Sequence, residues 1–247
     1  MPLPKLYSCV FSGDPDHWEN GPVVGCKFFN APTDEKFCSE CEHYTRRAEA
    51  VDNSLVWIVS TAPREPPTFE RCLTSLFQAG FAGGGCSLND CSKPYFGPFG
   101  AFMHCLSTLF YRCPHASLYI YFQDDVVVEP DTKAVLAEFL ESHGAPDEPI
   151  VGSLYKPPGM DDWDDWQQVD KGWWTGGACA LFFTAPALRE LLCSPDVVLH
   201  RWRSQYGWRA VDQVVGFFGS RYGGLWYPPT ELAHHFGTVS SAHKYSP

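Results

Sequence analysis

The chain has 247 residues, 45% of them hydrophobic and 15% aromatic, with a formal net charge of −11. That is ample material for a packed core and excludes wholesale disorder. The acidity argues against a general phosphate-backbone binder, so no nucleic-acid partner is expected, and an anionic substrate would need a bound cation or a local Arg to receive it.

No stretch approaches the roughly 20 apolar residues of a membrane span. The start, MPLPKLYSCVFSGDPDHW, carries no apolar segment of the signal-peptide kind. The expectation is a soluble, cytoplasmic protein without a membrane span.

Residues 1–50 are polar, rich in Gly, Pro and Cys, and show no sustained period. Cys38 and Cys41 have the spacing of a zinc knuckle, and Cys9 with Cys26 would complete four thiolates around a structural Zn²⁺. So small a segment, with few large apolar positions, gains from a metal staple. The alternative is a set of unpaired thiols in loops. Cys72, Cys105, Cys179 and Cys193 fall in helix or strand patterns further on and are expected in the core.

The character changes at SLVWIVSTAPREPP, where Leu55 to Val59 reads as a buried strand broken by residues 60–67. TFERCLTSLFQAGF follows with Phe69, Leu73, Leu76 and Phe77 at helical spacing, Thr68 as N-cap and Gly80 as the stop. A Gly-rich connection (81–97) leads to a second helix, GAFMHCLSTLFYRC. Then come a strand from Leu118 to Phe122 and a helix, DTKAVLAEFLESHG, capped by Asp131 and closed by Gly144.

In the second half PIVGSLY and ACALFFT read as strands, APALRELLCSP and RAVDQVVGFFGSRYG as helices. PPGMDDWDDWQQVDKGWW reads as an acidic, Trp-rich loop, mobile at DDWDDW, and the tail from Tyr227 as loop-like. Strands alternating with helices predict one mixed-sheet α/β domain over residues 51–247.

The stretch IYFQDDVVVEP sets Asp124 and Asp125 side by side at the end of an apolar strand. Adjacent carboxylates repel, and desolvating them is costly without a cation or donors. In open α/β sheets ligands bind beyond the carboxyl ends of the strands. Two carboxylates with water and phosphate oxygens suit Mg²⁺ or Mn²⁺, and a diphosphate is the natural substrate of such a site. The bland alternative is a solvated turn. Near the other end HHFGTVSSAH holds three of the nine histidines within ten residues, among small residues that let a ligand come close.

Together, SLYIYFQDDVVVEPD and HHFGTVSSAH resemble motifs of the nucleotide-sugar-dependent glycosyltransferases of the GT-A fold, in particular the branching N-acetylglucosaminyltransferases of the fourth type. There an apolar strand carries Glu-Asp-Asp, and His-x-Gly-x-x-Ser-Ser follows later. Here the motifs are Gln123-Asp124-Asp125 and His235-Phe236-Gly237-Thr238-Val239-Ser240-Ser241.

The resemblance implies an α/β fold with a single GT-A-like (Rossmann-like) mixed sheet flanked by helices, preceded by the small Cys-containing segment. It implies metal-dependent, inverting transfer of a hexosyl or N-acetylhexosaminyl group from a nucleotide sugar, UDP-linked, to a hydroxyl of a glycan, protein or small molecule. Asp125 would be the main ligand of Mn²⁺ or Mg²⁺ and His235 the second. Asp124 would contact the ribose or donor sugar. Gln123 departs from the acidic residue of the family; its amide still bonds a ribose hydroxyl but supplies no charge.

Thr61 and Arg64, in STAPRE, correspond to the nucleotide-binding loop. Asp212, at the start of a late helix, corresponds to the base that takes the acceptor proton. A first-turn acid favoured by the helix dipole is its plainer role, and Asp162, Asp164, Asp165 and Asp170 are rivals for the base.

Trp173 and Trp174, beside Gly176 and Gly177, form a candidate stacking floor for a sugar ring, one of the two facing the core. Two other activities compete. One is a metal-dependent phosphoesterase using Asp124, Asp125, His234 and His235. The other is a non-catalytic carbohydrate- or zinc-binding module.

Overall fold

The structure is a computed structural model that describes residues 24–26, 31–33, 55–61, 67–81, 85–88, 97–144, 147–157, 159–170, 177–198 and 211–236. In the N-terminal segment β1 (Val24–Cys26) and β2 (Ala31–Thr33) pair antiparallel, with Val24 opposite Thr33. Cys9, Cys38, Cys41 and the side chain of Cys26 lie outside the described residues.

The main sheet is built from β3 (Leu55–Thr61), β4 (Gly85–Leu88), β5 (Leu118–Gln123), β7 (Val151–Ser153), β8 (Gln167–Val169), β9 (Ala180–Thr184) and β10 (Leu225–Tyr227). Its order is β4-β3-β5-β9-β7-β10-β8. β4, β3 and β5 run parallel, β9 runs against both β5 and β7, β10 is parallel to β7, and β8 closes the edge antiparallel. A separate ribbon joins β6 (Val126–Val128) to β11 (Ala233–His235).

Continuous apolar runs mark strands covered on both faces, and alternation along β5 sends its side chains to two cores. Leu118, Ile120 and Phe122 pack with Leu76 of α1 (Phe69–Gln78) and with Leu136 and Phe139 of α3 (Thr132–His143). Tyr119 and Tyr121 pack with Phe102 and Leu106 of α2 (Gly97–Arg112), Leu188 of α4 (Ala185–Cys193) and Val215 of α6 (Val211–Gly219). α5 (Pro195–Val198) is a single turn after α4. Helices on both faces of a mixed sheet make the α/β architecture expected from the alternation, and the Rossmann-like form that the resemblance implies.

The first of these cores also demands close contact between strands. A Cβ at Gly152 of β7 would lie 2.1 Å from Cζ of Phe182 on β9, so only glycine lets that ring cross the neighbouring strand. Gly80 stops α1 at φ 82°, a left-handed conformation that glycine adopts without penalty.

Four predicted features differ. The 81–97 connection contains β4, an edge strand too Gly-rich to show an apolar pattern. The acidic Trp loop contains β8, whose glutamines face water at the other edge. The tail from Tyr227, as far as it is described, is not all loop, since Tyr227 ends β10 and Ala233–His235 form β11. Cys193 is exposed at the end of α4, while Cys72, Cys105 and Cys179 are buried as expected. Thr68 and Asp131 occupy the N-cap positions of α1 and α3 without a side-chain cap bond.

Candidate active site at the carboxyl end of the parallel strands

Register gathers the candidate residues. Ser60 pairs with Gln123 and Phe122 with Ala180, so the ends of β3 and β5 and the start of β9 share one sheet edge. There Asp124 and Asp125 form the turn between β5 and β6, only 1% and 3% exposed. The pair is therefore not a solvated turn. Burying a carboxylate costs several kcal/mol unless donors or a cation answer it. The Thr61 hydroxyl donates to Asp124 Oδ2 at 2.8 Å, and His235 Nε2 lies 3.1 Å from Asp125 Oδ2.

His235 arrives through the β6–β11 ribbon, where it stands opposite Val126. The Phe236 N–H donates to the Asp125 carbonyl at 3.0 Å. Two further ties hold the ribbon. Ser75 Oγ of α1 accepts the Val128 N–H at 3.1 Å while donating to the Cys72 carbonyl at 2.8 Å. The N–H groups of Leu232 and Ala233 both reach the Leu154 carbonyl, each at 3.1 Å. Two residues 110 positions apart are thus brought together by backbone pairing.

Strand alternation sends the neighbouring His234 to the ribbon's other face, with Val127. Its Nε2 lies 2.7 Å from Glu129 Oε1 and its Nδ1 3.0 Å from Glu231 Oε2. The phosphoesterase alternative needs His234 on the same metal cluster as the acidic pair, and the structure turns it away.

Gln123 is held by its backbone, its N–H donating to the Cys179 carbonyl at 2.8 Å and its carbonyl accepting Cys72 Sγ at 3.5 Å. Its side chain hydrogen-bonds the buried Tyr121 hydroxyl, as does Ser60. Tyr121 and Gln123 share the face of β5 turned toward α2, so in this conformation the Gln123 amide serves the core and not a ribose.

Asp212 sits in the first turn of α6, its Oδ1 accepting the Gln213 N–H at 2.9 Å. Burial pushes its carboxyl above the ordinary range, against the opposing pull of the Gln213 and Asp212 N–H groups. It is also close enough to the acidic pair to act on a shared neighbour. The Cys179 thiol is pushed up to about 12, first by burial, then by the charges of Asp125, Asp212 and Glu231. The Cys72 thiol also rises to about 12, by burial and then mainly Asp124. Both stay protonated at neutral pH, which removes them as nucleophiles.

Three rival acids are occupied elsewhere. Asp162 accepts from the buried Lys156 ammonium at 2.9 Å, Asp165 Oδ1 accepts the Trp166 N–H at 2.7 Å, and Asp170 Oδ1 accepts the Ser220 hydroxyl at 2.8 Å. Asp164 is exposed. Lys156 also donates to the carbonyls of Asp161 (2.6 Å) and Pro229 (2.9 Å) and lies over the Trp163 ring. The acidic loop expected to be mobile is pinned there.

Of the candidate sugar floor only Gly177 is described. Cα hydrogens alone separate it from Tyr155, whose Cε1 would stand 3.2 Å from a Cβ there. Trp173, Trp174, Gly176 and Arg64 lie outside the described residues. Tyr155, Cys179 and Glu231 were not anticipated. They reach this edge from β7, β9 and the approach to β11, and no local pattern links them. Glu231 and Tyr155 flank the Leu154 junction already described, and Glu231 and Cys179 both raise the Tyr155 hydroxyl after burial.

No family model matches the chain, and no curated protein matches it. Solved structures similar to it include a glycosyltransferase involved in the glycosylation of the major capsid of PBCV-1, 12% identical at a TM-score of 0.46, over 77% of this chain and 97% of that one. A197 from STIV is 16% identical at a TM-score of 0.41, over 73% and 85% of the two chains. The inositol-1-phosphate CTP transferase from T. maritima is 13% identical at a TM-score of 0.30, over 89% and 82%. Among the described residues no helix is long and apolar enough to cross a membrane.

Proposed function

We propose that the protein is a metal-dependent glycosyltransferase, inverting, that moves a sugar from a nucleoside diphosphate donor, UDP-linked, to an acceptor hydroxyl. One observation carries this: two adjacent carboxylates buried at a parallel strand's end, one of them 3.1 Å from an imidazole on a different strand.

The donor set fits a divalent ion. Two ligands at right angles, each about 2.1 Å from an octahedral ion, stand about 3.0 Å apart, close to the observed separation of Asp125 Oδ2 and His235 Nε2. Among the described residues no group of three or more metal-binding side chains occurs, so substrate phosphates and water would have to complete the coordination of such an ion. An imidazole in the set favours Mn²⁺ over Mg²⁺. Held by Asp125 and His235, such an ion would take up the charge that develops on a departing diphosphate.

The chain's own groups do the rest. Thr61 fixes the rotamer of Asp124, the residue that would contact the ribose or donor sugar. Asp212 receives the acceptor proton as the acceptor oxygen bonds to the anomeric carbon. The bond from that carbon to the phosphate oxygen breaks, and the diphosphate leaves with its electron pair. A carboxyl raised by burial is better matched to this task than an ordinary aspartate, because a base works best with its pKa nearer the ambient pH.

A thermal-shift panel of UDP, GDP and CMP, each with and without Mn²⁺, tests the proposal. A ligand at a hundred times its Kd stabilises by about 2.7 kcal/mol, several degrees for a chain of this size. A Mn²⁺-dependent shift with one diphosphate, lost in Asp125→Ala, is the expected result. Indifference to every nucleotide would overturn it in favour of the binding module.

A further inference from the structure

The site gathers negative charge, and the substrate proposed for it is itself anionic. Asp124, Asp125 and Asp212 belong to it, and the charge of Glu231 reaches Cys179. A divalent ion offsets two of these charges, and a diphosphate adds at least two more. Another cation has to face the ligand.

Arg71 is placed for that. It lies exposed in the first turn of α1, with its guanidinium carbon over the Phe236 ring, 4.3 Å from the centroid. Phe236 directly follows His235, and its N–H donates to Asp125. The next residue of α1, Cys72, is buried against the other side of the acidic turn, on the Gln123 carbonyl. Residues 71 and 72 are therefore both one contact away from the turn that carries Asp124 and Asp125. Two other described cations are engaged elsewhere, Lys156 on the acidic loop and Arg221 on Ser194.

A guanidinium over an aromatic face keeps its N–H edges for oxygen acceptors, a geometry suited to phosphate. We propose that Arg71 binds a phosphoryl oxygen of the donor diphosphate, with Phe236 as a positioning residue that holds the guanidinium at the mouth of the site. This rests on the glycosyltransferase reading above and adds a specificity element to it, a requirement for the diphosphate and not merely the nucleoside.

The test is calorimetric titration of the full chain with Mn²⁺ present, using UDP and GDP against uridine and guanosine. For Arg71→Ala the diphosphate that wild type binds should weaken about tenfold or more, as loss of a charge-assisted hydrogen bond requires, while its nucleoside is unchanged. Arg71→Lys should recover part of the loss, and Phe236→Leu should weaken the diphosphate less than Arg71→Ala does. Mn²⁺ binding in the absence of nucleotide, followed by electron paramagnetic resonance, should be unaffected by Arg71→Ala. If wild type binds the diphosphate and Arg71→Ala binds it equally well, or loses diphosphate and nucleoside alike, the assignment of Arg71 is wrong and the enzyme proposal stands. If wild type binds neither diphosphate, both are overturned.

Discussion

Two histidines adjacent in sequence end up in different chemical worlds. His235 shares a face of the ribbon with Val126 and meets a nearly buried carboxylate. His234 shares the other face with Val127 and is gripped by Glu129 and Glu231, which are far more open to water. Residue type and sequence position hardly separate the two; the pairing of β11 with β6 does. A slip of one residue would exchange their surroundings, because side chains alternate with a period of two. The ribbon's ties to Ser75 and Leu154 therefore act on function as much as on folding.

The contrast is sharpest under substitution. Asp125→Asn should have the largest effect, with the Mn²⁺-dependent nucleotide shift gone and transfer reduced roughly a hundredfold or more, since charge neutralisation by a bound ion contributes several kcal/mol. His235→Ala should come next, with Mn²⁺ affinity falling at least the roughly tenfold that loss of even an outer partner of a ligand costs. Direct Mn²⁺ titration reads both, and an unchanged affinity in His235→Ala would erase the distinction between the two histidines.

Asp212→Asn should abolish transfer while leaving the nucleotide shift in place, and surviving transfer would remove Asp212 as the base. Its stability signature has a definite sign. Because the folded carboxyl is raised above its unfolded value, the folded state holds the proton more tightly, and stability falls as pH rises from the unfolded pKa through the folded one. Asp212→Asn should therefore melt slightly higher than wild type at neutral pH, and the gain should vanish below the ordinary carboxylate range. Denaturant titrations at neutral and acidic pH would show it. His234→Ala should be the mildest change, about 1 kcal/mol or less for partners so exposed, with Mn²⁺ affinity intact. A loss of metal binding there would mean that the outer face of the ribbon also shapes the inner one.

How much of this was legible beforehand follows from where each signal resides. β3, β5 and β9 stand out in sequence because strands covered on both faces must be apolar throughout. β8 does not, because an edge strand in contact with water needs no apolar run and its glutamines serve; β4 is only four residues long and lies in a Gly-rich stretch. The partnership of Asp125 with His235 was drawn from the motif resemblance and not from any periodicity, and the structure places the two side by side. The surroundings of that pair were not readable. Tyr155, Cys179 and Glu231 converge only once β7 is paired with β9 and the approach to β11 is tied to the Leu154 carbonyl. Nothing local in DDWDDW tells that Asp162 would be claimed by Lys156, nor does a strand pattern tell that the Gln123 amide would turn to Tyr121.

The lysine under the acidic loop has a practical corollary. An ammonium that already donates to two carbonyls and a carboxylate, with its side chain 4% exposed, is shut off from amine-acylating reagents. Position 156 should label slowly next to the half-buried Lys133. Any ligand that loosens the segment above it will announce itself as a jump in that one modification rate, readable by mass spectrometry without a substrate assay.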